Sequence, residues 1–178
     1  MKRRQAAVFL DRDGVLIREV GYLSRVADMR VLSGVPEALK LLRQAGFKVV
    51  VTTNQSGVAR GYFTLKTLKG LHAELKRRLA RSGAKWDALY FAPQAADSGH
   101  PWRKPGIGML KAAQKRFGLD LKASYFVGDR FSDVQCARNA GCAAIVVRTG
   151  AGRSYKGPKP DAFRRDLLSA ARWIIARS

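Results

Sequence analysis

Two aspartates separated by one residue, Asp11 and Asp13, follow the apolar run Ala6-Ala7-Val8-Phe9-Leu10 and precede Gly14. An apolar run that stops at a glycine turn reads as a buried strand delivering its last side chains to the edge of a sheet. Carboxylates at this spacing can share one divalent cation and still divide a group transfer between them. One attacks as a nucleophile while the other moves protons. Such a pair is common in surface turns, so its weight rests on three later segments. Thr52-Thr53-Asn54-Gln55-Ser56-Gly57 offers hydroxyls, amides and free backbone N–H groups, an uncharged cradle for a phosphate or an ordinary polar turn. Arg103-Lys104-Pro105 offers, at Lys104, the point charge that phosphoryl transfer needs, or a solvated loop. In Gly128-Asp129-Arg130-Phe131-Ser132-Asp133 two acids could complete a metal site with Asp11. The plainer alternatives are a turn for Asp129 and a helix N-terminus for Asp133.

The elements that would position these groups alternate along the chain. Strands are expected at Val8–Leu10, Phe47–Thr52, Ala88–Phe91, Tyr125–Val127 and Ala143–Val147. Helices are expected at Pro36–Ala45, from Thr64 to about Ser82, at Gly108–Phe117, from Ser132 with Gln135 at capping-box spacing, and at Phe163–Ala176. In the second of these, Leu65, Leu68, Leu71, Leu75 and Leu79 recur at steps of three and four, with His72 expected at the surface or boundary beside the stripe. Gly150–Pro160 reads as a flexible surface loop. Buried strands alternating with helices imply an α/β fold, a parallel sheet with helices on both faces. Ligands of such sheets sit beyond the carboxyl ends of the strands, where each polar segment falls.

In this order and spacing the four segments resemble the haloacid-dehalogenase-like phosphatases, from about Val8 to Arg148. Phe9-Leu10-Asp11-Arg12-Asp13-Gly14, Gly21-Tyr22, Thr53 through Gly61 and Arg103-Lys104-Pro105 look closest to the D-glycero-D-manno-heptose 1,7-bisphosphate phosphatases, and histidinol-phosphate phosphatases share much of the signature. The resemblance implies a Rossmann-like three-layer sandwich without a separate cap domain, one domain over residues 1–178, and Mg²⁺-dependent hydrolysis of a phosphate monoester through an aspartyl phosphate. It makes Asp11 the nucleophile and Asp13 the general acid and base, with Thr53 and Lys104 on the transferring phosphoryl oxygens. It gives magnesium to Asp11, the Asp13 backbone carbonyl and Asp129, with Asp133 as an outer support. Arg103, assisted by Arg130, would hold the second phosphate or a hydroxyl, with Glu19, Gly21 and Tyr22 facing the sugar and Asn54, Gln55 and Ser56 completing the substrate site.

One segment departs from that family. Where the subgroup carries a cysteine-rich zinc loop, this chain has Ala92-Pro93-Gln94-Ala95-Ala96-Asp97-Ser98-Gly99-His100-Pro101-Trp102. A single imidazole cannot hold structural zinc, so no zinc is expected, and Trp102 is expected to supply packing in its place.

Composition sets wider bounds. The 178 residues suffice for one domain with a real core, and 47% hydrophobic content lies in the globular range. No apolar stretch reaches the roughly 20 residues of a membrane span. The start Met1-Lys2-Arg3-Arg4-Gln5 is not followed by a signal peptide's apolar centre. Cys136 and Cys142 read as reduced thiols. A cytoplasmic monomer is therefore expected. With 34 Lys and Arg against 13 Asp and Glu the net charge is +21, which draws anions, small phosphorylated sugars or nucleic acid alike. A phosphatase for nucleic-acid 3′ ends is accordingly the alternative enzymatic reading. A merely anion-binding protein would have no use for the Asp11 and Asp13 pair.

Overall fold

In the computed structural model, which describes residues 5–178, the apolar runs form strands β1 (Ala7–Leu10), β2 (Lys48–Asn54), β3 (Ala88–Ala92), β4 (Tyr125–Gly128), β5 (Ala143–Val147) and β6 (Ala162–Arg164). Helices α1 (Val35–Gln44), α2 (Leu65–Arg81), α3 (Gly108–Phe117), α4 (Phe131–Ala140) and α5 (Leu167–Ile175) alternate with them. All strand pairs are parallel, in the order β3-β2-β1-β4-β5-β6. Successive side chains of a strand point to opposite faces, and the core divides accordingly. Val8, Leu10, Val49, Val51, Ile145 and Val147 pack with α1, α2 and α5 on one side. Ala7, Phe9, Val50, Ala144 and Val146 pack with α3 and α4 on the other. Phe9 stacks on Phe126 at a centroid distance of 6.3 Å, and truncating a buried aromatic of this kind costs about 3–5 kcal/mol.

The chain turns back at β1. It runs outward through β2 and β3, then returns to lay β4 on the opposite edge of β1. At such a reversal the loops leaving two neighbouring strands diverge and open a crevice beyond their carboxyl ends. Here the residues immediately past those strands are Asp11 and Asp129, and the Asp11 N–H donates to Val127 O at 3.0 Å.

Several elements differ from expectation. Phe163 does not begin a helix: Ala162–Arg164 form a sixth strand paired to β5, secured by Asp161, whose carboxylate accepts from Ala144 N–H at 2.7 Å. The helix starts only at Leu167, where Asp166 accepts from Ser169 N–H at 2.8 Å and caps it. The fourth helix starts at Phe131, and its cap is Asp133, which accepts the N–H groups of Asp129 and Arg130 at 3.1 and 3.0 Å. Gln135 instead bonds Asn139 on the helix surface. Leu65, at the first turn of α2, is exposed and outside the stripe. Residues Gly150–Ser154 form a 3₁₀ turn, with Gly152 buried, rather than a free surface loop. Cys136 and Cys142 are buried free thiols, and burial pushes each up to about 12. Met1–Arg4, most of the basic start, lie outside the described residues.

Candidate active site

Beyond the ends of β1, β2 and β4 lies a cleft of about 420 Å³. Asp11, Asp13 and Lys104 reach it from the base, Asn54 from the end of β2, and Gln55 and Ser56 from the turn after it. Glu19, Gly21, Tyr22, Arg103 and Arg130 line it higher up, together with Ala96 and Ser132, which sequence reasoning passed over. Thr53 lies fully buried below, its hydroxyl accepting from Gln55 Nε2 at 2.9 Å.

Lys104 is the electrostatic centre. Its ammonium lies 3.0 Å from Asp11 Oδ1 and 2.7 Å from Asp133 Oδ1, and donates to Thr52 O at 3.0 Å. Burial alone would lower its pKa, but Asp11 and Asp133 outweigh that and raise it, so the charge is retained. Asn54 explains the lysine's placement: its carboxamide donates to Lys104 O and accepts from Lys104 N–H, both at 3.0 Å. Although it lines the cleft, Asn54 is thereby a brace for the lysine loop.

Asp11, Asp129 and Asp133 each bring a carboxylate oxygen within 4.8 Å of the others. Asp129 is fully buried, and its Oδ1 has no hydrogen-bond partner. Its other oxygen accepts from Ala151 N–H at 2.8 Å, so the turn after β5 belongs to the site. Burial, then the charges of Asp11 and Asp133, push Asp129 up to about 8. Three clustered carboxylates, two of them on the Lys104 ammonium, leave an excess of negative charge that a divalent cation would neutralise. Oxygen ligands and one orphaned buried oxygen fit Mg²⁺, which needs few protein ligands because it keeps several waters.

Asp13 occupies a different environment. Arg12 grips its carboxylate, Nε to Oδ2 at 3.1 Å and Nη2 to Oδ1 at 3.0 Å, and Gln55 Nε2 donates to Oδ2 at 2.8 Å. Burial, opposed by Arg12 and aided by Asp11, holds Asp13 above the usual carboxylate range, as suits a proton donor. Sequence reasoning missed Arg12 and misplaced His72. Arg12 is buried, and His72, expected near the surface, is buried against it with Nε2 3.1 Å from Nη1. An arginine between two catalytic-type carboxylates was the available signal for Arg12. His72 had none, because its partner is 60 residues away.

At the rim, Arg130 pairs with Glu19 at 2.6 Å, and Tyr22 meets Tyr62 edge-on at 4.6 Å. Arg103 donates to Gln94 O at 3.3 Å, which ties it to the segment Ala92–Trp102. In that segment His100 Nδ1 accepts from Trp102 N–H at 3.2 Å, and the Trp102 ring packs on Tyr90.

A parallel sheet with an acidic pair ending its central strand, a lysine braced beside it and further acids ending the adjacent strand defines a class. Residues 8–89 match the family model for haloacid dehalogenase-like hydrolases and residues 101–170 a second, HAD-hydrolase-like model; the chain belongs to that family. It is 43% identical to a D-glycero-D-manno-heptose-1,7-bisphosphate 7-phosphatase of Thermosynechococcus vestitus, covering 94% of both chains. The corresponding Pseudomonas aeruginosa 7-phosphatase is 36% identical over 88% of this chain and 89% of its own. The crystal structure of the D,D-heptose 1,7-bisphosphate phosphatase of B. bronchiseptica, complexed with magnesium and phosphate, superposes with a TM-score of 0.89 at 35% identity, covering 98% of this chain and 100% of that one.

Proposed function

We propose that this chain is a magnesium-dependent phosphatase, a single domain over residues 1–178, that removes the 7-phosphate of a D-glycero-D-manno-heptose 1,7-bisphosphate. The observation that carries the reading is the convergence, in one cleft, of Asp11 on Lys104 with Asp13 held apart on Arg12. Simple anion binding has no need for a nucleophile and a separate proton donor.

Asp11 attacks phosphorus, and the bond to the sugar oxygen breaks as Asp13 delivers its proton there. Asp13 then takes a proton from the water that attacks the aspartyl phosphate, releasing inorganic phosphate and restoring Asp11. Lys104 and the Thr53 hydroxyl balance charge on the transferring oxygens throughout. Asp11, the Asp13 carbonyl and Asp129, supported by Asp133, would hold Mg²⁺, which offsets the negative charge of the phosphoryl group. Arg103 and Arg130 at the rim hold the distal phosphate, while Glu19, Gly21 and Tyr22 border the sugar and Gln55 and Ser56 close the near side. The segment Ala92–Trp102 lacks cysteine, so the enzyme works without zinc, and Trp102 on Tyr90 holds the loop by packing. Among the described residues no helix is long and apolar enough to cross a membrane, and the enzyme acts as a cytoplasmic monomer on a small phosphorylated sugar. The charge of +21 favours, as second reading, a nucleic-acid 3′-end phosphatase.

Phosphate release should be compared across heptose and hexose bisphosphates, histidinol phosphate and 3′-phosphorylated oligonucleotides, with and without magnesium. The heptose bisphosphate should lead, and Asp11→Asn should lower release at least about 10³-fold. A preference for oligonucleotides, undiminished activity in Asp11→Asn, or stoichiometric zinc in the purified protein would each overturn the corresponding statement.

A further inference from the structure

His72 lies on α2, which contributes no residue to the lining of the cleft, yet it is buried against the group that grips the proton donor. An arginine can only donate hydrogen bonds, so His72 Nε2 accepts from Arg12 Nη1, and the ring proton sits on Nδ1. The other guanidinium nitrogens are spent on Asp13 and on Gln55 Oε1, the latter at 3.0 Å. The ring packs against Phe91 at a centroid distance of 5.4 Å. We propose, building on the phosphatase reading, that His72 is a positioning residue for proton transfer: through Arg12 it fixes the orientation from which Asp13 protonates the departing sugar oxygen.

Arg12 alone cannot set that orientation. Gln55 Nε2 holds one oxygen of Asp13 directly, but the planar fork that grips the carboxylate can swing about its long side chain unless its far edge is tied down. His72 ties Nη1 on one side and Gln55 ties Nη2 on the other. A charged imidazole would have no lone pair for Arg12 and would place two cations together. Burial first, and then Arg12 itself, depress His72 to about 3, so the ring stays neutral wherever the enzyme would work.

The first transfer breaks the bond between phosphorus and the sugar oxygen, forms the bond to Asp11, and passes the Asp13 proton to the leaving oxygen. An alkoxide needs that proton, whereas the phenolate of p-nitrophenyl phosphate leaves without it. The test compares kcat/KM, which covers steps through leaving-group departure, for the heptose bisphosphate and for p-nitrophenyl phosphate. His72→Leu, which removes the acceptor, should lose roughly 10–100-fold on the sugar substrate and less than about threefold on the aryl phosphate. His72→Gln, which restores an acceptor, should recover most of the loss. Equal losses on both substrates, no loss in His72→Leu, or no recovery in His72→Gln would overturn the proposal. Should His72→Leu fail to fold, His72→Asn, whose acceptor falls short of Arg12, carries the same comparison. Wild-type protein inert on both substrates would instead sink the phosphatase reading, and the positioning role with it.

Discussion

Lys104 faces Asp11 and Asp133 directly while Asp129 shares their surroundings, so the floor of the cleft is unbalanced unless a cation joins it or a proton stays. The chain resolves the neighbouring problem differently. Asp13 is partnered by a buried arginine, and that arginine by a histidine forbidden to charge. The arrangement leaves a thermodynamic trace. His72 has a pKa of about 3 when folded against 6.5 ordinarily, so between those values the unfolded chain binds the additional proton. Its contribution is therefore fully present above pH 6.5 and is lost as pH falls toward 3, by up to about 1.4 kcal/mol per pH unit. Urea unfolding at pH 7, 6 and 5 should show wild-type protein losing stability more steeply than His72→Leu. The difference between the two curves isolates this residue from the other acids. Parallel curves would mean that the ring charges freely in the folded state.

At the scale of elements, strand ends fix the acids and turns fix their orientation. Asp129 leaves β4 between two glycines from separate turns, Gly14 with φ +77° and Gly150 with φ +57°. A Cβ at either position would run into the Asp129 carboxylate, so only glycine suits both the backbone and the space. Gly150→Ala should displace Asp129 and disturb the Ala151 N–H bond to it. The magnesium concentration for half-maximal activity should rise about 10–100-fold, as when support around a metal ligand is lost, read by magnesium titration. An unchanged titration would remove the turn after β5 from the site. That turn was invisible in the sequence because its glycines and basic residues look like any surface loop. Asp11, Asp13 and Asp129 were legible because each follows an apolar run, and periodicity reports such ends directly; Lys104 follows a long irregular stretch and was legible only through the spacing that the family resemblance carries. Residues 162–164 were not: three residues on a sheet edge, one an exposed Phe163, match the start of an amphipathic helix equally well. His72 was read as a boundary residue because periodicity says which face of α2 turns inward, not which buried group meets it there.

For the molecule as a whole, charge and topology act together on the substrate. Of the 13 acidic residues, Asp11, Asp13, Glu19, Asp129 and Asp133 cluster at or beneath the cleft opened by the reversal between β1 and β4, against 34 basic residues over the chain. An anion approaching the molecule thus meets a positive field at distance, then Arg103 and Arg130 at the rim, and a negative floor only at contact. The long-range part is screened over about 10 Å at 0.1 M salt, whereas the buried Lys104 contacts are screened far less. Salt should consequently slow capture without slowing chemistry. With magnesium saturating, kcat/KM for the bisphosphate should fall severalfold between about 0.02 and 0.3 M salt while kcat stays level, and the fall should be shallower for the singly phosphorylated heptose 7-phosphate. Steady-state kinetics on both substrates across that range decides the point. Equal slopes would mean that the excess of basic residues does not steer substrate, and would turn attention to a larger polyanion, whose binding should fall with salt more steeply than either sugar phosphate.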